Sequence, residues 1–295
     1  MLIIAVEVWR IAATEGGSCA DRAARVSSAT VSGTEAPVTQ SSDWAGHVPV
    51  VWVEPAQRRA GAPLALWLPH FSGSKELALP FLHDLAAAGF VAMSLDPWQH
   101  GERGTESRED LFRRVFGSFR HHMWPILAQT ALDATRVIDW AADTLGTGPG
   151  VVAGGVSMGG DIAVALAGVD PRVSRVAAIV ATPDWTRPGM QLEGRLVAQG
   201  EPDAYARWLY ERLDPFTHLD AYARGPSIAF ECGADDTHVP PDGALRFRDA
   251  LRARHPGAAE RVRVTLHPGL DHLPAARSDA LAQRCLAWLA DEPDA

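Results

Sequence analysis

The sequence predicts an α/β domain: a mostly parallel central sheet with helices on both faces and a small, partly helical insert. Three observations carry that expectation. From residue 48 onward, apolar runs of strand length alternate with segments of helical spacing, and short connections join them. In a buried sheet this implies right-handed crossovers and parallel order. Runs such as Leu64-Ala65-Leu66-Trp67-Leu68 are apolar throughout rather than alternating, as strands covered on both faces are. Finally, Gly155-Val156-Ser157-Met158-Gly159 stands between the apolar run Val151 to Gly154 and the helix-like Asp161 to Ala167, which marks a tight strand-to-helix turn.

Taken in order, residues 1–45 read as an N-terminal arm or an edge hairpin, because Glu15 to Gln40 is rich in Ser, Thr, Ala and Gly with no sustained period. The domain proper is expected over 46–295. Val48 to Pro55 and Pro63 to Pro69 read as strands, separated by the turn residues Gln57 to Gly61. Leu77 to Ala88 has helical spacing and stops at Gly89; Phe90 to Asp96 is the next strand. Helical pattern resumes from Arg108 to Phe116 and from Phe119 to Leu145, where Ile126, Leu127, Thr130, Ala131, Ala134, Val137, Ile138 and Ala141 form one stripe. After the strand that leads to Ser157 come a helix at 160–168 and strands at 175–181, 227–231 and 262–266. Further helices are expected at 241–254 and 275–290. Residues 182–225 interrupt this rhythm with Trp185, Met190, Tyr205, Trp208 and Phe216 among Pro, Gly and charge. So long a connection is expected to form an insert leaning over the sheet edge.

Bulk properties narrow the function classes. The 295-residue chain is 47% apolar and 21% charged, as soluble globular proteins are, and its net charge of −9 comes with scattered Lys and Arg. That balance argues against nucleic acid or an anionic membrane as partner. No run of eighteen apolar residues occurs, and Glu7 and Arg10 interrupt the opening apolar stretch too early for a secretory signal. Cys19, Cys232 and Cys285 are widely separated, with no Cys-x-x-Cys pair, so neither a zinc site nor a disulfide framework is indicated. A cytoplasmic protein is expected, and a homodimer is compatible with the sequence.

The chemistry centres on Ser157. A serine hydroxyl is a poor nucleophile and needs a nearby base, itself oriented by an acid. The loops at the carboxyl ends of parallel strands are where such partners gather. Gly233-Ala234-Asp235-Asp236-Thr237-His238-Val239-Pro240 follows one strand, and His267-Pro268-Gly269-Leu270-Asp271-His272-Leu273-Pro274 follows the next. The order Ser, Asp, His on strand ends is the pattern of hydrolases built on this turn.

With the Phe-Ser-Gly-Ser-Lys-Glu loop, the His-Gly-Glu-Arg core of residues 100–103, Gly-Val-Ser-Met-Gly, Asp-Asp-x-x-Val-Pro and the late Asp-His, the chain resembles the α/β-hydrolase superfamily from about Val48 to Leu289. Within it, the likeness is to small bacterial carboxylesterases related to dienelactone hydrolase. The resemblance implies Ser157 as nucleophile, Asp236 rather than Asp235 as acid, and His272 rather than His267 as general base. It also implies an oxyanion site made by the backbone N–H groups of Met158 and Phe71. Where the family has His-Gly before that loop residue, this chain has Pro69-His70, which narrows the pocket or brings an imidazole near the reacting carbonyl.

His70, Trp98, His100 and Trp185 are expected substrate contacts, the last as part of an apolar wall supplied by the insert. Lys75-Glu76 and Asp161 read as helix-start charges, and the remaining histidines as surface or satisfied core groups. The expected activity is cleavage of a small or medium-sized carboxylic ester through an acyl-enzyme, with no cofactor and no metal. An acyltransferase, a thioesterase or a C–C bond hydrolase would use the same three side chains, and a non-catalytic binder could keep the fold.

Overall fold

The structure, a computed structural model, describes residues 39–291. Eight strands form one sheet in the order β1-β2-β4-β3-β5-β6-β9-β10. They are β1 (Thr39–Ala45), β2 (Val48–Glu54), β3 (Leu64–Leu68), β4 (Val91–Leu95), β5 (Val151–Val156), β6 (Val173–Ile179), β9 (Ser227–Gly233) and β10 (Val262–His267). Within this sheet, the β1/β2 and β2/β4 pairings are antiparallel and the rest parallel. The central strands β3, β4 and β5 are buried at every residue, which is why their sequences do not alternate.

Helices cover both faces. On one lie α1 (Leu79–Ala87) and α9 (Asp279–Ala290), packing Leu82, Leu85, Leu281 and Cys285 against Val53, Trp67 and Ile179. On the other lie α2 (Arg108–Gly117), α3 (Phe119–Leu145), α4 (Met158–Val169) and α6 (Asp242–Arg254). The stripe read on α3 is buried as a set, and Gly146 ends that helix at φ 64°, a left-handed cap that glycine adopts without steric cost.

Boundaries differ from the sequence reading where side chains choose them. The last helix is two: α8 (His272–Ala276) begins at His272, and α9 follows from its own Ser278 cap. A short α7 (Pro256–Ala259) precedes β10. The 182–225 connection carries the two-residue hairpin strands β7 (Gln191–Leu192) and β8 (Arg195–Leu196) and the helix α5 (Ala204–Leu213), whose first turn is capped by Asp203. Thr39–Ala45 pairs with β2 as an edge strand, and the rest of the N-terminal segment, residues 1–38, lies outside the described residues.

Two charges expected at helix starts are buried ion-pair members instead. Lys75 Nζ reaches Asp96 at 3.2 Å, Glu76 at 2.8 Å and Glu102 at 2.5 Å, and its own amide donates to Asp96 at 2.8 Å. Burial alone would depress the ammonium's pKa, but the hydrogen bonds to Glu102 and Glu76 and the charge of Asp96 more than offset it and raise it. The cluster ties the loop after β3 to the loop after β4. Ser74, at the start of the short turn from Lys75 to Ala78, makes no capping bond; its hydroxyl donates to Glu76 at 2.6 Å.

Backbone packs closely on backbone around the β5–α4 turn. A Cβ on Gly159 would stand 2.1 Å from the Leu68 carbonyl oxygen, one on Gly155 2.5 Å from the Gly159 carbonyl carbon, and one on Gly160 2.5 Å from Ala181 Cβ. Because backbone cannot yield there, Gly159→Ala is expected to destabilise the fold by about 2 kcal/mol or more. Urea denaturation compared with wild type checks this, and an unchanged midpoint would contradict the packing.

Candidate active site

Three strand ends converge on one point. Ser157 directly follows β5, held at φ 54° and ψ −120° as the residue before the first turn of α4. Its amide donates to the Ile179 carbonyl at 2.8 Å, and its carbonyl accepts from the Asp161 amide at 3.0 Å, so the turn is gripped from both sides. Asp236 lies three residues beyond β9, where its Oδ1 accepts from the amides of His238 at 2.9 Å and Val239 at 2.7 Å. His272 opens α8, its amide donating to the Asp271 cap at 2.7 Å.

The side chains meet in line. His272 Nδ1 donates to Asp236 Oδ2 at 2.7 Å, and the Ser157 hydroxyl donates to His272 Nε2 at 3.1 Å. The carboxylate cannot donate, so it holds the proton on Nδ1 and leaves the Nε2 lone pair facing the hydroxyl. All three residues are 4% exposed. Asp235 is exposed, and His267 Nε2 pairs with the buried Glu231 at 2.6 Å, so neither joins the relay.

Met158 is the first residue of α4, where backbone N–H groups lack intrahelical partners and the helix dipole is positive. Phe71 lies in the loop after β3, its ring edge-on to His100 at 5.3 Å and to Phe116 at 5.5 Å. His70 Nδ1 donates to the Phe71 carbonyl at 2.8 Å, which pins the peptide just beyond that residue. Burial lowers the His70 pKa against the pull of that bond, so its ring is neutral at physiological pH. It lines an apolar cavity of about 180 Å³ together with Val156, Leu273 and Phe81.

Of the other expected substrate contacts, Trp185 lies in the core, and Trp98 and His100 stand in the loop after β4. Trp185 is fully buried: its amide donates to Asp214 and its carbonyl accepts from the Trp124 indole, so it belongs to the core under the insert and presents no ring to a ligand. Trp98 lies beneath the Arg103 guanidinium, 4.9 Å from its ring centroid, with its amide held by Thr130. His100 is buried, donates through Nδ1 to the Trp98 carbonyl at 2.9 Å, and supports Phe71 from behind. Among the described residues, no group of three or more His, Cys, Asp or Glu side chains is arranged to hold a metal ion.

Several residues of the site carried no readable signal. Asp161, one turn past Ser157, is fully buried and accepts from the Thr182 amide at 2.7 Å while pairing with Arg187, whose guanidinium lies over Phe119. Burial raises the Asp161 pKa, and Arg187 opposes that rise. The β7–β8 hairpin brings Gln191, Leu192 and Glu193 to a cleft of about 270 Å³ that also contains His272, His238 and Leu273. Nothing local in the sequence brings that hairpin, 76 to 81 positions before His272, to the same cleft.

This fold, with Ser, His and Asp hydrogen-bonded at the carboxyl ends of three parallel strands, defines an α/β-hydrolase. The profile of the prolyl oligopeptidase family matches residues 119–293, and the chain belongs to that family, which makes it a serine hydrolase. A Bacillus subtilis protein named "Putative esterase YitV" is 23% identical over 229 residues, covering 75% of this chain and 86% of that one. Among solved structures, TT1662 from Thermus thermophilus is similar at 24% identity and a TM-score of 0.64, over 86% of this chain and 97% of its own. A protein titled "Putative Dienelactone Hydrolase" from Klebsiella pneumoniae is similar at 19% identity and a TM-score of 0.63, over 87% of this chain and all of its own. At these identities the two structures speak for the fold.

The buried His100 makes a pH prediction. Burial, added to by the nearby His70 and opposed by the hydrogen bond to Trp98, holds its pKa down to about 4 from 6.5. Between those values the unfolded chain binds the extra proton and the folded one does not, so His100 contributes stability that is present above pH 6.5 and is lost as pH falls towards 4. The full effect is roughly 3 kcal/mol. Urea unfolding at stepped pH is expected to show a shallower acid decline in His100→Asn than in wild type; parallel curves would contradict the assignment.

Proposed function

We propose that the protein hydrolyses carboxylic esters of small or medium-sized substrates by two-step acyl transfer, with Ser157, His272 and Asp236 as its catalytic triad. The observation that carries this reading is the line of hydrogen bonds from Asp236 through His272 to Ser157. Ser157 attacks the ester carbonyl while Nε2 of His272 takes its proton; Asp236 stabilises the imidazolium. The amides of Met158 and Phe71 receive the oxyanion as the carbonyl becomes tetrahedral. His272 then returns the proton to the leaving alcohol, and an acyl group remains on Ser157. Water, activated by the same imidazole, releases the acid and restores the serine.

The likeness to a protein named as an esterase supports an ester substrate. Membership of the prolyl oligopeptidase family favours a second reading on the same machinery, cleavage of a peptide amide. A cytoplasmic location is part of the proposal: Cys232 and Cys285 are buried free thiols, as a reducing compartment keeps them.

Ser157→Ala is expected to lose at least 10³-fold in kcat on p-nitrophenyl acetate with its melting curve intact, and Asp236→Asn about 10⁴-fold through the wrong imidazole tautomer. Wild-type turnover in Ser157→Ala would overturn the triad. Running p-nitrophenyl esters beside peptide p-nitroanilides separates the two substrate readings.

A further inference from the structure

The cleft lined by His272 holds a second imidazole that the acyl-transfer steps do not use. His238 lies two residues past Asp236, its ring centroid 4.7 Å from that of His272 and tilted 65° to it, with Phe116 at 5.6 Å. Its Nδ1 is 3.2 Å from the Gln191 carbonyl oxygen. A carbonyl only accepts, so Nδ1 carries the ring proton. Gln191 is itself fixed, because its amide donates to the Thr237 carbonyl at 2.7 Å; the hairpin therefore locks the tautomer of His238. The consequence is an Nε2 lone pair with no hydrogen-bond partner among the described residues, on a ring that lines the cleft.

Burial, together with the charges of a protonated His272 and of Arg187, holds the His238 pKa well below its ordinary value. The ring stays neutral even while His272 carries the proton taken from Ser157. Glu193 and Asp271 are the charged groups lining the same cleft, and no Lys or Arg lines it. A fixed acceptor nitrogen in a cleft lined by two acidic residues and no basic one favours hydrogen-bond donors and opposes anions.

We infer that His238 is a specificity-determining residue whose Nε2 accepts a hydrogen bond from an N–H or O–H donor on the substrate. The cleft thereby selects uncharged or cationic esters bearing such a donor over donor-less and anionic ones. This inference rests on the Ser157 hydrolase reading and adds to it the class of substrate.

Two matched ester pairs test it. In the acyl-side pair, the p-nitrophenyl ester of N-acetylglycine is compared with its N-methylated analogue. In the alcohol-side pair, the acetate of N-(2-hydroxyethyl)acetamide is compared with its N-methylated analogue, with acid release followed by pH-stat. Wild type is expected to favour the N–H member of at least one pair by about tenfold in kcat/KM. The pair that shows the preference tells which side of the ester carries the donor. His238→Phe and His238→Ala are expected to bring that ratio to about one, and His238→Gln, which keeps an acceptor, to retain part of it. A purely structural role for His238 would lower both members together and leave the ratio unchanged, which overturns the inference. So does a wild-type ratio near one in both pairs, a result that needs no variant. Labelling of Ser157 by a fluorophosphonate is measured alongside: absence of label overturns the hydrolase reading and this inference with it, whereas label with a ratio of one overturns this inference alone.

Discussion

The backbone at Ser157 is the constraint on which the rest of the structure depends. At φ 54° and ψ −120° a residue with a Cβ is strained by about 1–3 kcal/mol, and such a conformation persists only where its surroundings hold it. Here the surroundings are backbone: the Ile179 carbonyl accepts from the Ser157 amide, while Gly155, Gly159 and Gly160 let the turn close against Leu68 and Ala181. The strain turns the hydroxyl out of the strand direction towards His272. Without it, a serine at the end of β5 would point along one sheet face and miss the imidazole.

Once the hydroxyl is aimed, the partners need only short, well-anchored loops. Asp236 is fixed by two backbone amides before it reaches His272, and His272 is fixed by its own helix cap before it reaches Ser157. Each side chain of the relay is thus oriented by a bond it makes outside the relay. In the acyl transfer proposed for this site, preorganisation of this kind is what would remove the cost of arranging dipoles as charge develops on the imidazole and the substrate oxygen.

Around this centre the protein buries two ion pairs, Asp161 with Arg187 and Lys75 with Asp96. Asp161 with Arg187 ties the first turn of α4 to the insert, and Lys75 with Asp96, Glu76 and Glu102 ties the loop bearing Phe71 to the loop after β4. Buried pairs contribute little net stability, because desolvation offsets most of the attraction. Breaking one leaves an uncompensated charge, so each pair fixes the relative placement of two segments. Both sets join a loop at the site to an element distant in sequence.

The sequence by itself determined the sheet, the helices on its two faces and the turn at Ser157. Those follow from local rules: unbroken apolar runs for strands buried on both faces, a 3.6-residue stripe for α3, and glycines where backbone must pass backbone. The strand-end rule also singles out Asp236 and His272, since each follows a strand by a few residues. What only the tertiary structure decided are the contacts that depend on side chains remote in the chain. Aromatic residues in an insert carry no local mark of which way they face, so the sequence offers Trp185 as a pocket wall where packing under the insert buries it. Lys75 and Asp161 looked like helix-start charges because their partners, Asp96, Glu102 and Arg187, lie 21 to 27 positions away. The tautomer of His238, which depends on one carbonyl of a hairpin 47 positions upstream, had no trace in the sequence at all. Periodicity records the direction a residue faces relative to its own strand or helix, and only the folded chain records what stands opposite.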